Sequence, residues 1–521
     1  LALSPDERRL SDDLTLRLET VPRSLPATVL ALDLGTSSTR AAVYDARGRQ
    51  VAGTLAQFTY PLQTDAEGRA ELRPADLERA VTRAIAQALQ AYGTARPAIM
   101  AVGVSCFWHS MLGLDAQGKP LTPIYTWADS RPREEARRLR RNGGETAIHA
   151  RTGCMARASF WPARLLWLRR NDPALFARVA RWVSPGEWMQ QRMCGAASVS
   201  LSMASGTGLL DGRTLQWDAA LLRRSGLATA RLNPLSEAPL PLSAKMRARH
   251  PILAEAAWYP AIGDGAASNL GSGATAPGVA AINAGTSAAL RVVVAAEKTA
   301  SQKPLAPMGL FAYRIDGRRR LVGGATSNAG NLRAWALREL ALPAPAALEK
   351  QLAARSGPAE GLTLLPFWMA DRSPTWPEET PSAILGITQA TTALDLLQAL
   401  EESGYQRLAQ IAARVEAAAE RRLAYVVSGG ITHSPASLQR LADVLGRPVH
   451  VSAEHEASLR GAAVFALERL GFAPPPPRRG RAIVPRSTPA RAYAAARQRQ
   501  AALEELLQKW PSGRQGAKLS R

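Results

Sequence analysis

Residues 29–43 read VLALDLGTSSTRAAV, and residues 279–293, in the other half of the chain, read VAAINAGTSAALRVV. Gly35, Thr36 and Ser37 fall on Gly285, Thr286 and Ser287, aliphatic residues fall on aliphatic residues, and Asp33 falls on Asn283. Each copy is an apolar run, a small polar turn and a second apolar run, the pattern of a β-hairpin. The repeat therefore predicts two halves that each place a Gly-Thr-Ser turn at a corresponding point, one beside a carboxylate and the other beside an amide.

At 521 residues the chain exceeds what one core supports, and two domains are expected. Helical periodicity at 72–93, between Pro74 and Gly93, precedes an apolar strand at 99–107 that ends in Trp-His-Ser. A helix-like run covers 163–171, and 174–260 gives mixed signals. Strand, glycine-containing loop and helix then alternate: 321–330 into a helix, a long helix at 392–420, a strand at 423–430, a helix at 437–446, the strand RPVHVS and a helix from Glu456. This alternation predicts an α/β fold. The expected partition is a polar extension (1–27), a first domain (28–276), a second domain (277–473), and a Pro/Arg-rich segment with a final helix (474–521).

The formal net charge of +22 comes from arginines spread along the chain, with one dense run, PRRGRAIVPR, at 477–486. Such a surface attracts anionic small molecules. No stacking-aromatic or recognition-helix pattern accompanies it, so no nucleic-acid partner is expected. No apolar stretch approaches the roughly 18 residues that span a bilayer, and the opening LALSPDERRLSDDL is too charged for a secretory signal. Three cysteines without metal-ligand spacing fit a reducing, cytoplasmic setting. The chain begins at Leu1 rather than Met, leaving room for an upstream piece.

In the first turn, Gly35 lets a ligand approach the backbone, Thr36, Ser37 and Ser38 offer hydroxyls to phosphate oxygens, and Arg40 adds a fixed positive charge. Asp33 could hold Mg²⁺ through water, because that ion takes oxygen ligands and keeps part of its hydration shell. The second turn adds Gly285 and Thr286 without a carboxylate. Two such turns facing one another would cradle a nucleotide's phosphates, although a single Gly-Thr-Ser is as readily an ordinary turn. Asp264, between glycines in GDGAASN (263–269), reads as a loop carboxylate placed to take a proton from an attacking hydroxyl.

Together, VLALDLGTSSTRAAVYD, GDGAASN, AINAGTSAAL, SGGITHSP, ADVLGRPV and EASLRGAA resemble the FGGY carbohydrate kinases from about Val29 to Leu470. The resemblance implies two actin-like (ribonuclease H-like) domains with ATP and a sugar in the cleft between them. It implies Asp264 as general base with Gly265 beside it, and Asp33 as the carboxylate associated with Mg²⁺. It assigns phosphate contacts to Thr36, Ser37, Ser38, Arg40, Gly285 and Thr286, and the nucleotide lining to Gly330, Gly430 and Ser434. Trp108, His109, Ser110 and Ser159 fall on substrate positions.

Within the family, KPLTPIYTWADSRP, SMASGTGLLD and DGAASNLGSG are most similar to the gluconate kinases, which implies a sugar acid as acceptor. Xylulose, another ketose or a sugar alcohol is the alternative, and a non-catalytic actin-like nucleotide switch is the alternative of another class. The implied partners are the sugar and ATP, and a homodimer is compatible with the sequence. Departures from the family pattern are Arg164 in place of Lys, Trp161 in place of a small residue or Pro, Asp371 in place of Glu, and SNAGN (327–331) in place of a more glycine-rich stretch. Trp108 and Trp127 are the two tryptophans expected toward the sugar, since an aromatic face packs on its C–H side.

Overall fold

The first apolar run forms a hairpin in the computed structural model, which describes residues 27–296 and 304–509. Strand β1 (Thr28–Leu34) is buried along its length and returns antiparallel as β2 (Ser38–Asp45). The turn between them closes when the Gly35 N–H donates to the Ser38 carbonyl at 2.9 Å. β3 (Ala56–Thr59) pairs antiparallel with β2. Helix α1 (Pro74–Tyr92) begins at its proline, stops at Gly93, which has φ 83°, and buries Leu77, Val81, Ala84, Ile85 and Ala88 on one face. It leads to β4 (Ala101–Cys106), which pairs parallel with β1. The helix-like run forms α2 (Trp161–Asn171), and the region of mixed signals holds a series of short helices, several opened by side-chain caps at Ser184, Ser200 and Asp218. Two short strands, β5 (Ala257–Trp258) and β6 (Ile262–Gly263), continue the sheet parallel to β4. The stretch after β6, expected as a loop, is instead helix α3 (Asp264–Gly271), with Asp264 in its first turn. Its small residues fit a helix packed tightly on both sides.

The second half repeats the order. β7 (Val279–Ala284) turns through Gly285-Thr286-Ser287 into β8 (Ala288–Ala295). β9 (Phe311–Arg314) and β10 (Arg319–Thr326) follow, and β10 pairs antiparallel with β8. After α4 (Gly330–Glu339) and the long α5 (Ala393–Ala419), β11 (Ala424–Ser428) pairs parallel with β7. Helix α6 (Pro435–Leu445) then leads to β12 (Val449–Ser452), parallel to β11. Thus β3-β2-β1-β4-β5 and β10-β8-β7-β11-β12 share one succession of pairings: antiparallel, antiparallel, parallel, parallel.

Two features of the C-terminal region depart from the expected partition. Helix α7 (Ala457–Arg469) belongs to the core of the first half, where Leu459 and Ala462 to Leu467 are buried. It crosses α3 at backbone contact: a Cβ on Gly461 would lie 1.7 Å from the Ala267 carbonyl oxygen, and one on Gly271 1.8 Å from that of Ala457. The basic segment is not an appendage either. Its residues Arg479–Ile483 make β13, the seventh strand of the second sheet, and α8 (Ser487–Gln508) buries Tyr493, Gln500 and Glu504. Among the described residues, no helix is long and apolar enough to cross a membrane.

Candidate active site

The two turns meet at a cavity of about 270 Å³ between the halves. Thr36, Trp108, His109, Trp127, Ser159 and Asp264 line it from the first half, and Asn283, Ser287, Arg291, Tyr313 and Arg372 from the second. Asp264 faces it from the start of α3, where the helix dipole favours an anion. Its carboxylate accepts the Gly265 N–H at 2.8 Å. Burial raises its pKa, opposed by the Arg291 charge and by backbone N–H donors from Gly265 and Trp108. An enclosed carboxylate whose proton affinity is raised is suited to take up a proton. Gly265 has a steric role: a Cβ there would lie 2.6 Å from the Trp108 ring and 2.9 Å from Arg291 Nε.

His109, the middle residue of the Trp-His-Ser stretch, has a left-handed conformation, φ 67°. Its Nδ1 lies 2.5 Å from the Gly206 carbonyl, which can only accept, so Nδ1 carries the proton and Nε2 is left as an acceptor. Burial lowers its pKa to about 4. It therefore remains a neutral hydrogen-bonding group near neutral pH. Ser110 does not line the cavity; its hydroxyl accepts the Trp127 N–H at 3.1 Å. The Trp127 indole N–H in turn donates to Thr36 Oγ1 at 3.1 Å, tying the first turn to the cavity wall. Arg164 shows what its fork adds over a lysine: fully buried in α2, it donates to the carbonyls of His109 and Thr126, each at 2.8 Å, and of Tyr125 at 3.3 Å.

Behind the turns the repeat extends to a buried polar pair. Asp33 stands opposite Ser105 on β4, and Asn283 opposite Ser428 on β11. Ser105 donates to Asp33 at 2.8 Å, whereas Asn283 donates to Ser428 at 3.2 Å. Arg40 approaches Asp33 at 3.4 Å and also Glu456 at 3.4 Å. Burial raises Asp33 to about 6, opposed by the Ser105 hydrogen bond and the Arg40 charge. Ser37 is exposed on the first turn, and Ser38 is buried and accepts from Gln57 at 3.3 Å. The second turn is held by α4: the Gly330 N–H donates to the Gly285 carbonyl at 2.9 Å, and the Asn331 N–H to that of Thr286 at 3.1 Å. Thr286, Gly330 and Gly430 are exposed beside this junction. Gly429, at φ 92°, passes so near the Ala284 carbonyl that a Cβ would lie 2.6 Å from its oxygen. Ser434 caps α6 and donates to Glu349 at 2.9 Å, so its hydroxyl is engaged within the protein.

Sequence reading missed the two arginines. Arg291 interrupts the apolar run AALRVVV of β8, a signal in itself. Arg372 follows Asp371, which accepts from Thr326 at 2.8 Å, Ser327 at 2.7 Å and the buried Arg407 at 3.1 Å. The same loop carries Glu378 and Glu379 across to the first half. Glu378 pairs with Arg140 at 2.9 Å and Arg157 at 3.2 Å, and Glu379 pairs with Arg137.

Two duplicated α/β halves, a cavity between them and a carboxylate at a helix start define a two-domain kinase of the actin-like architecture. The profile of the FGGY family of carbohydrate kinases, N-terminal domain, matches residues 28–248, and that of its C-terminal domain matches 280–468. The chain belongs to this family and is a phosphotransferase with an alcohol group as acceptor. It is 24% identical over 462 residues to a gluconokinase of Bacillus licheniformis, covering 85% of this chain and 88% of the relative. It is 30% identical over 444 residues to a xylulose kinase of Streptomyces coelicolor, covering 84% and 87%. A gluconate kinase structure from Lactobacillus acidophilus superposes with a TM-score of 0.83 at 23% identity, over 93% of this chain and 99% of that one.

Proposed function

We propose that the chain transfers the γ-phosphate of ATP to the primary hydroxyl of D-gluconate, giving ADP and 6-phospho-D-gluconate. The observation that carries the reading is Asp264, enclosed at the start of α3 where the turns of both halves meet. Asp264 accepts the hydroxyl proton as the oxygen attacks the γ-phosphorus; the new O–P bond forms as the bond to the β,γ-bridging oxygen breaks, and ADP leaves. His109 Nε2 accepts a hydrogen bond from a sugar hydroxyl, while Trp108 and Trp127 pack on the C–H face, with Ser159 at the rim. Thr36, Ser37, Ser38, Arg40, Gly285 and Thr286 hold the phosphates, and Gly330, Gly430 and Ser434 border the nucleoside.

Among the described residues, no three potential metal-ligating side chains cluster. Asp33 nevertheless fits Mg²⁺: the ion needs only one or two carboxylates besides phosphates and waters, and a cation would favour the ionised form that burial disfavours. Bound there, Mg²⁺ would supply charge neutralisation to the phosphates. Loop 371–379, tied across the cleft by Glu378 and Glu379, excludes water that would otherwise hydrolyse ATP. Residues 28–276 and 277–473 are the proposed domains, with α7 shared, and a cytoplasmic site of action suits these substrates.

A ketose acceptor is the second reading, favoured by the Streptomyces coelicolor relative. ADP release with Mg-ATP and gluconate, xylulose, ribulose, glycerol or erythritol separates the two. The highest kcat/KM on gluconate is expected; a higher value on any other acceptor discards gluconate.

A further inference from the structure

The cavity wall holds three charged side chains among its described residues: Asp264, Arg291 and Arg372. With Asp264 ionised, and with His109 and Tyr313 kept neutral by burial, the enclosed charge is an unbalanced guanidinium. Neither arginine forms an ion pair with another described residue. The Arg291 guanidinium has no hydrogen-bond acceptor among the described residues, and its Nε is buried without a partner. Arg372 spends one nitrogen on the Thr326 carbonyl at 3.1 Å, stacks over Trp127 at 5.5 Å, and also leaves Nε buried without a partner. An orphaned Nε is shared with other arginines, Arg164 among them, but Arg164 gives its terminal nitrogens to three carbonyls and Arg407 pairs with Asp371 at 3.1 Å and Glu504 at 2.6 Å. What sets Arg291 and Arg372 apart is that neither has a carboxylate partner among the described residues and both face the cavity.

A part-buried guanidinium short of acceptors is costly unless a ligand completes it. Two guanidiniums at one small cavity match the planar oxygens of a carboxylate. We propose that Arg291 and Arg372 are the specificity-determining residues of this site, and that they select an acyclic sugar acid over neutral polyols by holding its carboxylate. This rests on the kinase reading for its acceptor hydroxyl, but the clamp is a binding property and is measurable without ATP. Arg291 lies against Gly265 beside Asp264, and Arg372 hangs from the loop opposite, so an acid between them presents its chain to the base.

The test is calorimetric binding of gluconate and of glucitol, the same chain with CH₂OH in place of the carboxylate, to the wild type, Arg291→Met and Arg372→Met. Charge-assisted hydrogen bonds of this kind correspond to roughly 10- to 100-fold in affinity. The wild type is expected to prefer gluconate by at least that factor, and each variant to lose most of the preference while changing glucitol binding by less than about threefold. Equal wild-type affinity for the two ligands overturns the proposal without any variant, so misfolding of a mutant cannot shield it. Equal losses for both ligands in well-folded variants also overturn it, and would assign the arginines to poising Asp264. Preference for gluconate without its turnover under Mg-ATP leaves the clamp standing and removes gluconate as the phosphate acceptor. Turnover on xylulose or glucitol as efficient as on gluconate does the reverse.

Discussion

Asp33→Asn is expected to stabilise the folded chain at neutral pH while it impairs catalysis. Burial raises the Asp33 pKa from 3.8 to about 6. At about 1.4 kcal/mol per pH unit, keeping this carboxylate ionised in the fold costs about 3 kcal/mol at pH 7–8. The sign follows from the folded pKa lying above the unfolded one: the penalty is complete above about pH 6, shrinks as pH falls through 6, and is absent below about 4. Asparagine removes the charge and keeps an oxygen for the Ser105 hydroxyl, and the second half already accommodates an asparagine beside a serine at the corresponding point, there with the Asn283 amide donating to Ser428. Urea unfolding without nucleotide or Mg²⁺, at pH 8 and pH 4, should show the variant about 3 kcal/mol more stable at pH 8 and equal to wild type at pH 4. A calorimetric midpoint would move by roughly 2–4 °C for each kcal/mol. A variant no more stable at pH 8, or a gain that persists at pH 4, would refute the reasoning that this carboxylate is held against its burial for function.

Gly461→Ala places a methyl group 1.7 Å from the Ala267 carbonyl oxygen. Forcing α3 and α7 apart should cost about 3 kcal/mol in denaturant unfolding, and kcat should fall as well because α3 carries Asp264; unchanged stability would mean that the helices have slack. Glu378→Gln removes the partner of Arg140 and Arg157 across the cleft. Arg140 is part-exposed and the buried Arg157 keeps Glu145 as a partner, so stability should change by less than about 1 kcal/mol, whereas KM for the sugar should rise severalfold in steady-state assays. A kcat loss at constant KM would contradict a role in closure.

The duplicated hairpin was legible because strand periodicity, turn chemistry and the Asp-to-Asn exchange all lie within fifteen residues. Local sequence also marked α1 and α5 through periodicity, with Pro74, Gly93 and Thr392 at their ends. The helical start at Asp264 was not legible, because GDGAASN is rich in the small residues that also make turns, and its helix exists by packing against α7. Nor was the crossing of α7 into the first core, since its burial depends on Gly103, Gly271 and Gly461, which are distant in sequence. The role of Ser110 was hidden for the same reason: its hydroxyl serves Trp127, and the family motif names the position without saying which way it points. Arg291 could have been found from a charge inside an apolar strand. Arg372 could not, because only the fold brings loop 371–376 to the first half's aromatic wall.

The most direct test of the account is Asp264→Asn, assayed with gluconate for formation of 6-phosphogluconate and, in parallel, for Mg-ATP binding. The account predicts a 10²–10⁴-fold loss in kcat with nucleotide affinity unchanged. A variant that turns over at close to the wild-type rate would contradict Asp264 as the base, and with it the assignment of the reaction to this cavity.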